Sequence, residues 1–157
     1  MTRLIWEISK NILNETTKIL ASKRSGVFVL WTAPLELANN VCKISRYIIP
    51  EQDSHNGLEG AYVHIEGTEL SRIVFDNHSK NERSVIQIHT HPSKNVEMSL
   101  LDREWEVVKH TGSLSIIVPS YGKYGLNNFP GVNVYEKEEN DWRLWTHDEI
   151  NKRFKIT

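Results

Sequence analysis

The segment from Arg83 to His89 holds Val85-Ile86-Gln87-Ile88 and runs straight into His89-Thr90-His91 before Pro92 stops it. An apolar run of this length, closed by a proline, reads as a central strand. Two further runs read as buried strands: Val27–Thr32, rich in β-formers and ended by Pro34, and Leu114–Val118. The β-branched stretch from Val41 to Ile49, stopped by Pro50, and the stretch from Ala61 to Ile65 add two more. A sheet with two histidines at the end of a central strand is the constraint every other element must satisfy.

Helical spacing fills the gaps. Residues 3–21 place Leu4, Ile5, Ile8, Ile12, Leu13, Ile19 and Leu20 at intervals of three and four, which predicts one helix. A second is expected over 68–78, with Thr68 as N-cap and Leu70, Ile73 and Val74 on one face. A third is expected from Ser99 to about His110. It opens on Ser99 with Asp102 three residues on, carries Leu101, Trp105 and Val108 as a stripe, and stops at Gly112. Polar residues 51–60, with two glycines, read as a loop, as does 121–131. Val132–Tyr135 and Trp142–Trp145 form a hairpin, and a C-terminal helix is expected over 146–156. The expected fold is therefore a single α+β domain over residues 1–157, its core spanning about 3–145, with a sheet flanked by helices.

Composition narrows the function. With 157 residues the chain can bury a core without metal or disulfide support. Cys42 is the one cysteine, so internal disulfides, CxxC redox centres and cysteine-rich zinc fingers are excluded. It has no thiolate-stabilising neighbour except Lys43 and reads as a small buried hydrophobe. A net charge of -1 gives no attraction for nucleic acid. No run of 18 apolar residues predicts a membrane span. Glu7 sits where a secretory leader needs apolar residues, so a cytoplasmic location is expected. Tryptophans 105, 142 and 145 read as core or sheet-face anchors, and Trp31 as core or as a groove wall near the strand end.

The chemistry lies between His89 and Asp102, beginning with His89-Thr90-His91-Pro92. Residues two apart on a strand share a face, so both imidazoles can address one cation. Asp102, in the first turn of the next helix, can fold back as a third ligand. Three protein ligands leave one tetrahedral position open, the pattern of a catalytic site. Ser99, one turn earlier, can donate to a developing oxyanion.

Six residues separate Pro92 from Ser99, and two separate Ser99 from Asp102. Over these fourteen positions the chain resembles the JAB/MPN metalloprotease family, whose signature is His-x-His-Pro, six residues, then Ser-x-x-Asp. Leu114–Gly122 is similar to the strand that comes after the metal helix in prokaryotic members encoded beside ubiquitin-activating-like and ubiquitin-conjugating-like enzymes. The resemblance implies a curved mixed sheet and a zinc ion held by His89, His91 and Asp102, with Ser99 on the oxyanion side. It further implies cleavage of a peptide or isopeptide bond after the C-terminus of a ubiquitin-like modifier, with such a protein or conjugate as partner, together with the associated activating and conjugating enzymes. One position departs: where the family has a catalytic glutamate this chain has Arg24, which cannot accept a proton. Glu36 and Glu97 are the acids that would have to substitute. A scaffold that binds zinc or a ubiquitin-like tail without cleaving is the alternative expectation.

Overall fold

In the computed structural model, which describes residues 4–57, 60–104 and 106–157, eleven strands and four helices are found. Six strands make one mixed sheet. Its middle is β7 (Glu82–Thr90), flanked by β2 (Phe28–Pro34), antiparallel, and β8 (Leu114–Val118), parallel. Outward from β2 lies β4 (Arg46–Ile48); outward from β8 lie β9 (Asn133–Lys137) and β10 (Trp142–Leu144). The three buried runs read from sequence are thus three adjacent central strands.

Alternation sorts their side chains. One face carries Ile86 and Ile88 of β7, Val29 and Trp31 of β2, and Ile116 of β8, all in one cluster of buried residues. Helix α1 (Lys10–Ala21) closes it with Ile12, Leu13 and Leu20. Trp31 is fully buried there and donates its indole N–H to Thr16 Oγ1 at 2.9 Å, so it is core and forms no groove wall. The opposite face carries Phe28 and Leu30, paired in register with His89 and Gln87. A smaller cluster covers it, where Ile73 of α2 (Gly67–Ser79) and Val108 meet Phe28 and Leu30.

Several expectations are corrected. Residues 5–8 are not helical but form β1 (Ile5–Ile8), between β3 (Val41–Lys43) and β11 (Phe154–Ile156) in a parallel three-stranded sheet. The helix begins only after Ser9, whose hydroxyl accepts from Ile12 N. The expected strand over 41–49 is two strands, β3 and β4, parted at Ile44-Ser45, and Ser45 donates instead to Thr32 O. In the 51–60 loop, backbone pairing makes β5 (Asp53–Gly57) of a hairpin with β6 (Gly60–His64); residues 58 and 59 lie outside the described residues. Helix α2 is capped at Glu66 rather than Thr68, and its buried stripe runs Glu69, Ile73 and Asn77, leaving Val74 67% exposed. The last helix, α4 (His147–Arg153), has the Thr146–Glu149 capping box but ends where β11 begins, so 154–156 is strand.

The third helix is far shorter than expected. It covers only Leu100–Glu104 (α3). Trp105 lies outside the described residues. Residues 106–110 are held by side chains instead: Gln87 Oε1 accepts from Val107 N and Val108 N at 3.0 and 2.9 Å, and Glu106 is bound by Lys137 and Trp142. These bonds replace the helical ones and turn the segment into a strap across the sheet.

Candidate metal centre

His89 is the penultimate residue of β7, on the face that also holds Gln87 and Phe28. Its ring stacks on Phe28 with centroids 5.7 Å apart and planes 2° apart, which fixes the imidazole while leaving Nε2 directed at the cavity's other ligands. His91 lies just past the strand. Its backbone is tied to β8 and the turn after it: His91 N donates to Val118 O, and Tyr121 N donates to His91 O. Its Nδ1 meets Asn95 O at 2.9 Å, a contact only an Nδ1–H can make as a hydrogen bond, so in the neutral ring Nε2 carries the lone pair.

Asp102 arrives from the strap. Ser99 N donates to Asp102 Oδ2 at 2.9 Å and Asp102 N donates to Ser99 Oγ at 3.1 Å, a reciprocal capping box. The box turns the carboxylate inward. Asp102 Oδ1 lies 3.1 Å from His89 Nε2, Oδ2 lies 3.1 Å from His91 Nε2, and the two nitrogens are 3.3 Å apart. Burial raises the Asp102 pKa, but the two imidazoles and the Ser99 N–H outweigh it and hold the carboxyl well below the usual range. Burial pulls the His91 pKa down, and the Asp102 carboxylate beside it prevails, so the net shift is upward.

The three side chains fit a divalent cation. Donor atoms about 2.0–2.1 Å from a tetrahedral zinc stand roughly 3.3 Å apart, the separation of the two imidazole nitrogens here, and the carboxylate meets each of them with a different oxygen at 3.1 Å. Two imidazole nitrogens facing each other and one carboxylate need a positive centre between them; a proton or a metal ion supplies it. His89 Nδ1 is buried and has no hydrogen-bond partner among the described residues, so His89 lacks the outer anchor that His91 has.

A small cavity opens onto the triangle. Ser25, Gly26, Phe28, Gln87 and Leu101 form most of its wall, and Asp102 is its one acid among the described residues. Arg24 is exposed and does not line it, whereas Ser25 does. Glu36 lies beyond the far end of β2, where Pro34 pairs with Glu82, six positions and about 20 Å along β2 from Phe28, the partner of His89. Glu97 is exposed and also absent from the wall. Ser99 does not line the cavity; its Oγ serves as the cap acceptor and its hydroxyl proton remains free to donate. Gln87 is the residue the sequence reading missed. Its signal was present: a buried amide two positions before His89 on the same strand face.

No family model matches the chain, and no curated protein matches it. Among solved structures, the solution structure of a protein from Desulfitobacterium hafniense superposes with a TM-score of 0.66 at 9% identity, over 98% of this chain and 93% of that one. At that identity the likeness concerns the fold alone.

Proposed function

We propose that this chain is a zinc-dependent peptidase or isopeptidase of the JAB/MPN type, acting after the C-terminus of a ubiquitin-like modifier in the cytoplasm. The observation that carries the reading is the convergence of His89 Nε2, His91 Nε2 and the Asp102 carboxylate, reached through the complete His-x-His-Pro and Ser-x-x-Asp spacing. A zinc ion held by His89, His91 and Asp102 would supply a Lewis acid for the scissile carbonyl and would bring the pKa of a water beside it toward about 7. The chain's own residues prepare that ground. Asn95 O fixes the His91 tautomer, and the Ser99 cap aims Asp102. The Ser99 hydroxyl, turned from its cap, donates to the oxyanion. Phe28 and Leu101 exclude bulk water from the cavity wall.

A second reading rests on its own observation. Among the described residues no carboxylate other than Asp102 lines the cavity. A scaffold that holds zinc and a ubiquitin-like tail without cleaving it needs no other. Zinc analysis and cleavage of a ubiquitin-like fusion separate the two. The peptidase reading expects about one zinc per chain, lost in His89→Ala/His91→Ala, with measurable cleavage. Installing an acid on the wall by Ser25→Glu raises a slow turnover by about 10²–10⁴-fold if only the base is lacking. Arg24→Glu, on an exposed side chain, raises it less. No zinc in the wild type after supplementation overturns both readings. Zinc with no cleavage in any variant leaves the scaffold.

A further inference from the structure

Residues 91–99, between β7 and α3, form neither helix nor strand. Their backbone nonetheless carries the outer partners of two metal ligands. Asn95 O meets His91 Nδ1 at 2.9 Å, and Ser99 N donates to Asp102 Oδ2 at 2.9 Å. A segment with no ladder of its own keeps such groups in place only where other elements take its free amides and carbonyls. Between Asn95 and Ser99 lie Val96, Glu97 and Met98, and strand β9 supplies the partners there.

The register of the sheet brings β9 to the face of the site. Gln87 pairs with Ser115 and Ser115 with Tyr135; His89 pairs with Ile117 and Ile117 with Asn133. Cross-strand partners share a face, so Tyr135 and Asn133 turn the same way as Gln87 and His89, two strand spacings or about 10 Å across the sheet. Tyr135 is buried, and its hydroxyl accepts from Met98 N and from Asn133 Nδ2, each at 3.1 Å, and donates to Val96 O at 3.4 Å. The one proton and both lone pairs of the hydroxyl are thereby used. Asn133 Nδ2 gives its other proton to Val96 O at 3.1 Å. Met98 packs with Tyr135, Ile117 and Trp142, and Val96 lies against that cluster. Neither Tyr135 nor Asn133 lines the cavity at the metal ligands.

We propose that the Tyr135 hydroxyl is a positioning group for the metal centre: by fixing residues 96–98 it sets where Asn95 O and Ser99 N stand, and through them how His91 and Asp102 are aimed. This rests on the metal-centre reading above and extends it to a side chain two strands away that touches no ligand. Two consecutive amides carry the coupling, since Met98 N is bound by Tyr135 Oη and Ser99 N by Asp102 Oδ2. Without the hydroxyl, Met98 N is a buried donor with no partner, and the segment must shift to satisfy it. Ser99 N moves with it. His89 lies outside this segment, fixed by its stack on Phe28, and keeps its place.

The test compares Tyr135→Phe, Asn133→Ala and Val134→Ala in the whole chain. Val134 stands between the other two on β9, but it is fully buried in the cluster under α1, on the opposite face. Val134→Ala therefore destabilises without touching residues 95–99. Metal binding is read with zinc and with cobalt(II), whose visible bands report ligand geometry. Loss of an outer partner costs a metal site about 10–100-fold in affinity, so Tyr135→Phe should weaken both metals about tenfold or more and alter the cobalt bands. Asn133→Ala should do the same, and the double variant should bind no more weakly than the worse single one, because both act through Val96 to Met98. Asn133→Ala keeps the tyrosine ring in the core and decides the matter if Tyr135→Phe does not fold. Val134→Ala should lower the melting temperature and leave affinity and bands unchanged. Wild-type affinity and bands in the Tyr135 and Asn133 variants, or an equal change in Val134→Ala, overturns the inference. Amide hydrogen exchange on metal-free samples keeps the two failures apart. The Ser99 amide should exchange faster in Tyr135→Phe than in Val134→Ala; equal exchange overturns the positioning role whether or not metal binds. A wild type that binds neither metal, with the Ser99 amide released by Tyr135→Phe, defeats the metal centre alone.

Discussion

The two faces of the central sheet are built from alternate residues of the same strands and do opposite work. Ile86 and Ile88 turn to the face under α1, into one apolar cluster with Val29, Trp31 and Ile116. Gln87 and His89, between and after them, turn to the face covered by α2, the strap and Val63 of β6. The first face is closed by close packing; the second is closed by specific hydrogen bonds such as those from Val107 N and Val108 N to Gln87. A chain that concentrates its burial on one side leaves the other free to hold polar ligands and an open cavity. The difference predicts that substitutions on the first face change stability alone, and that those on the second change stability less and the site more.

The largest expected effect is on the packed face. Ile88 is fully buried, and Ile88→Ala should cost about 2–5 kcal/mol by lost burial and the cavity left behind. Urea unfolding checks it, and zinc affinity of the folded fraction should hold. A tenfold fall in that affinity would mean the faces are coupled.

Next comes a titration on the open face. His110 has its pKa pushed down to about 4 by burial and by Arg83. The unfolded group titrates near 6.5, so between these values the unfolded chain binds more protons than the folded one. Stability from the neutral ring is complete above about 6.5 and is lost progressively as pH falls toward 4. His110→Gln should flatten unfolding free energy against pH across that window. An unchanged slope would place the titration elsewhere.

Gln87 tests the hydrogen-bonded closure itself. Its side chain is 2% exposed; Nε2 donates to Ser115 Oγ at 3.2 Å and Oε1 accepts the two strap amides. Gln87→Leu keeps the volume and strands those amides, at about 1–3 kcal/mol. Zinc affinity should fall with it, since the strap carries Asp102. Loss of stability in a zinc-free sample with zinc affinity intact would show that the strap does not aim the ligand.

The division between local and remote signals decides how much of this was legible in the sequence. The central strands and the convergence of His89, His91 and Asp102 were legible because their signals are local: apolar runs of strand length, a proline stop, and fixed spacing from His89 to Asp102. Strand β1 was hidden because Ile5, Ile8 and Ile12 imitate helical spacing, while its true partners, Val41 to Lys43 and Phe154 to Ile156, are remote in sequence. The strap imitated a helix because Ser99 and Asp102 do form a cap, yet only five residues of helix come after it and Gln87 takes the later amides. Helix α2 buries Asn77 rather than Val74 because Arg46 Nη2 donates to Asn77 Oδ1 at 2.7 Å and Asn77 donates to Ser84 at 3.1 Å. A polar residue so satisfied belongs inside, and no periodicity of apolar residues announces it.

The smallest expected change in stability should accompany the sharpest change in function. Asp102 accepts the Ser99 N–H and sits in the first turn of a five-residue helix, where its charge favours the helix dipole. Asp102→Asn keeps an oxygen for that hydrogen bond and removes the charge, so without metal the loss should be about 0.3–1 kcal/mol. Zinc binding should nevertheless collapse, because a neutral amide oxygen replaces the only anionic ligand between two imidazoles. Thermal melting in excess chelator and zinc titration of the same samples measure the two effects separately. A melting temperature that falls as steeply as zinc affinity would make Asp102 a structural cap, and the open face would then be closed by the same kind of burial as its opposite.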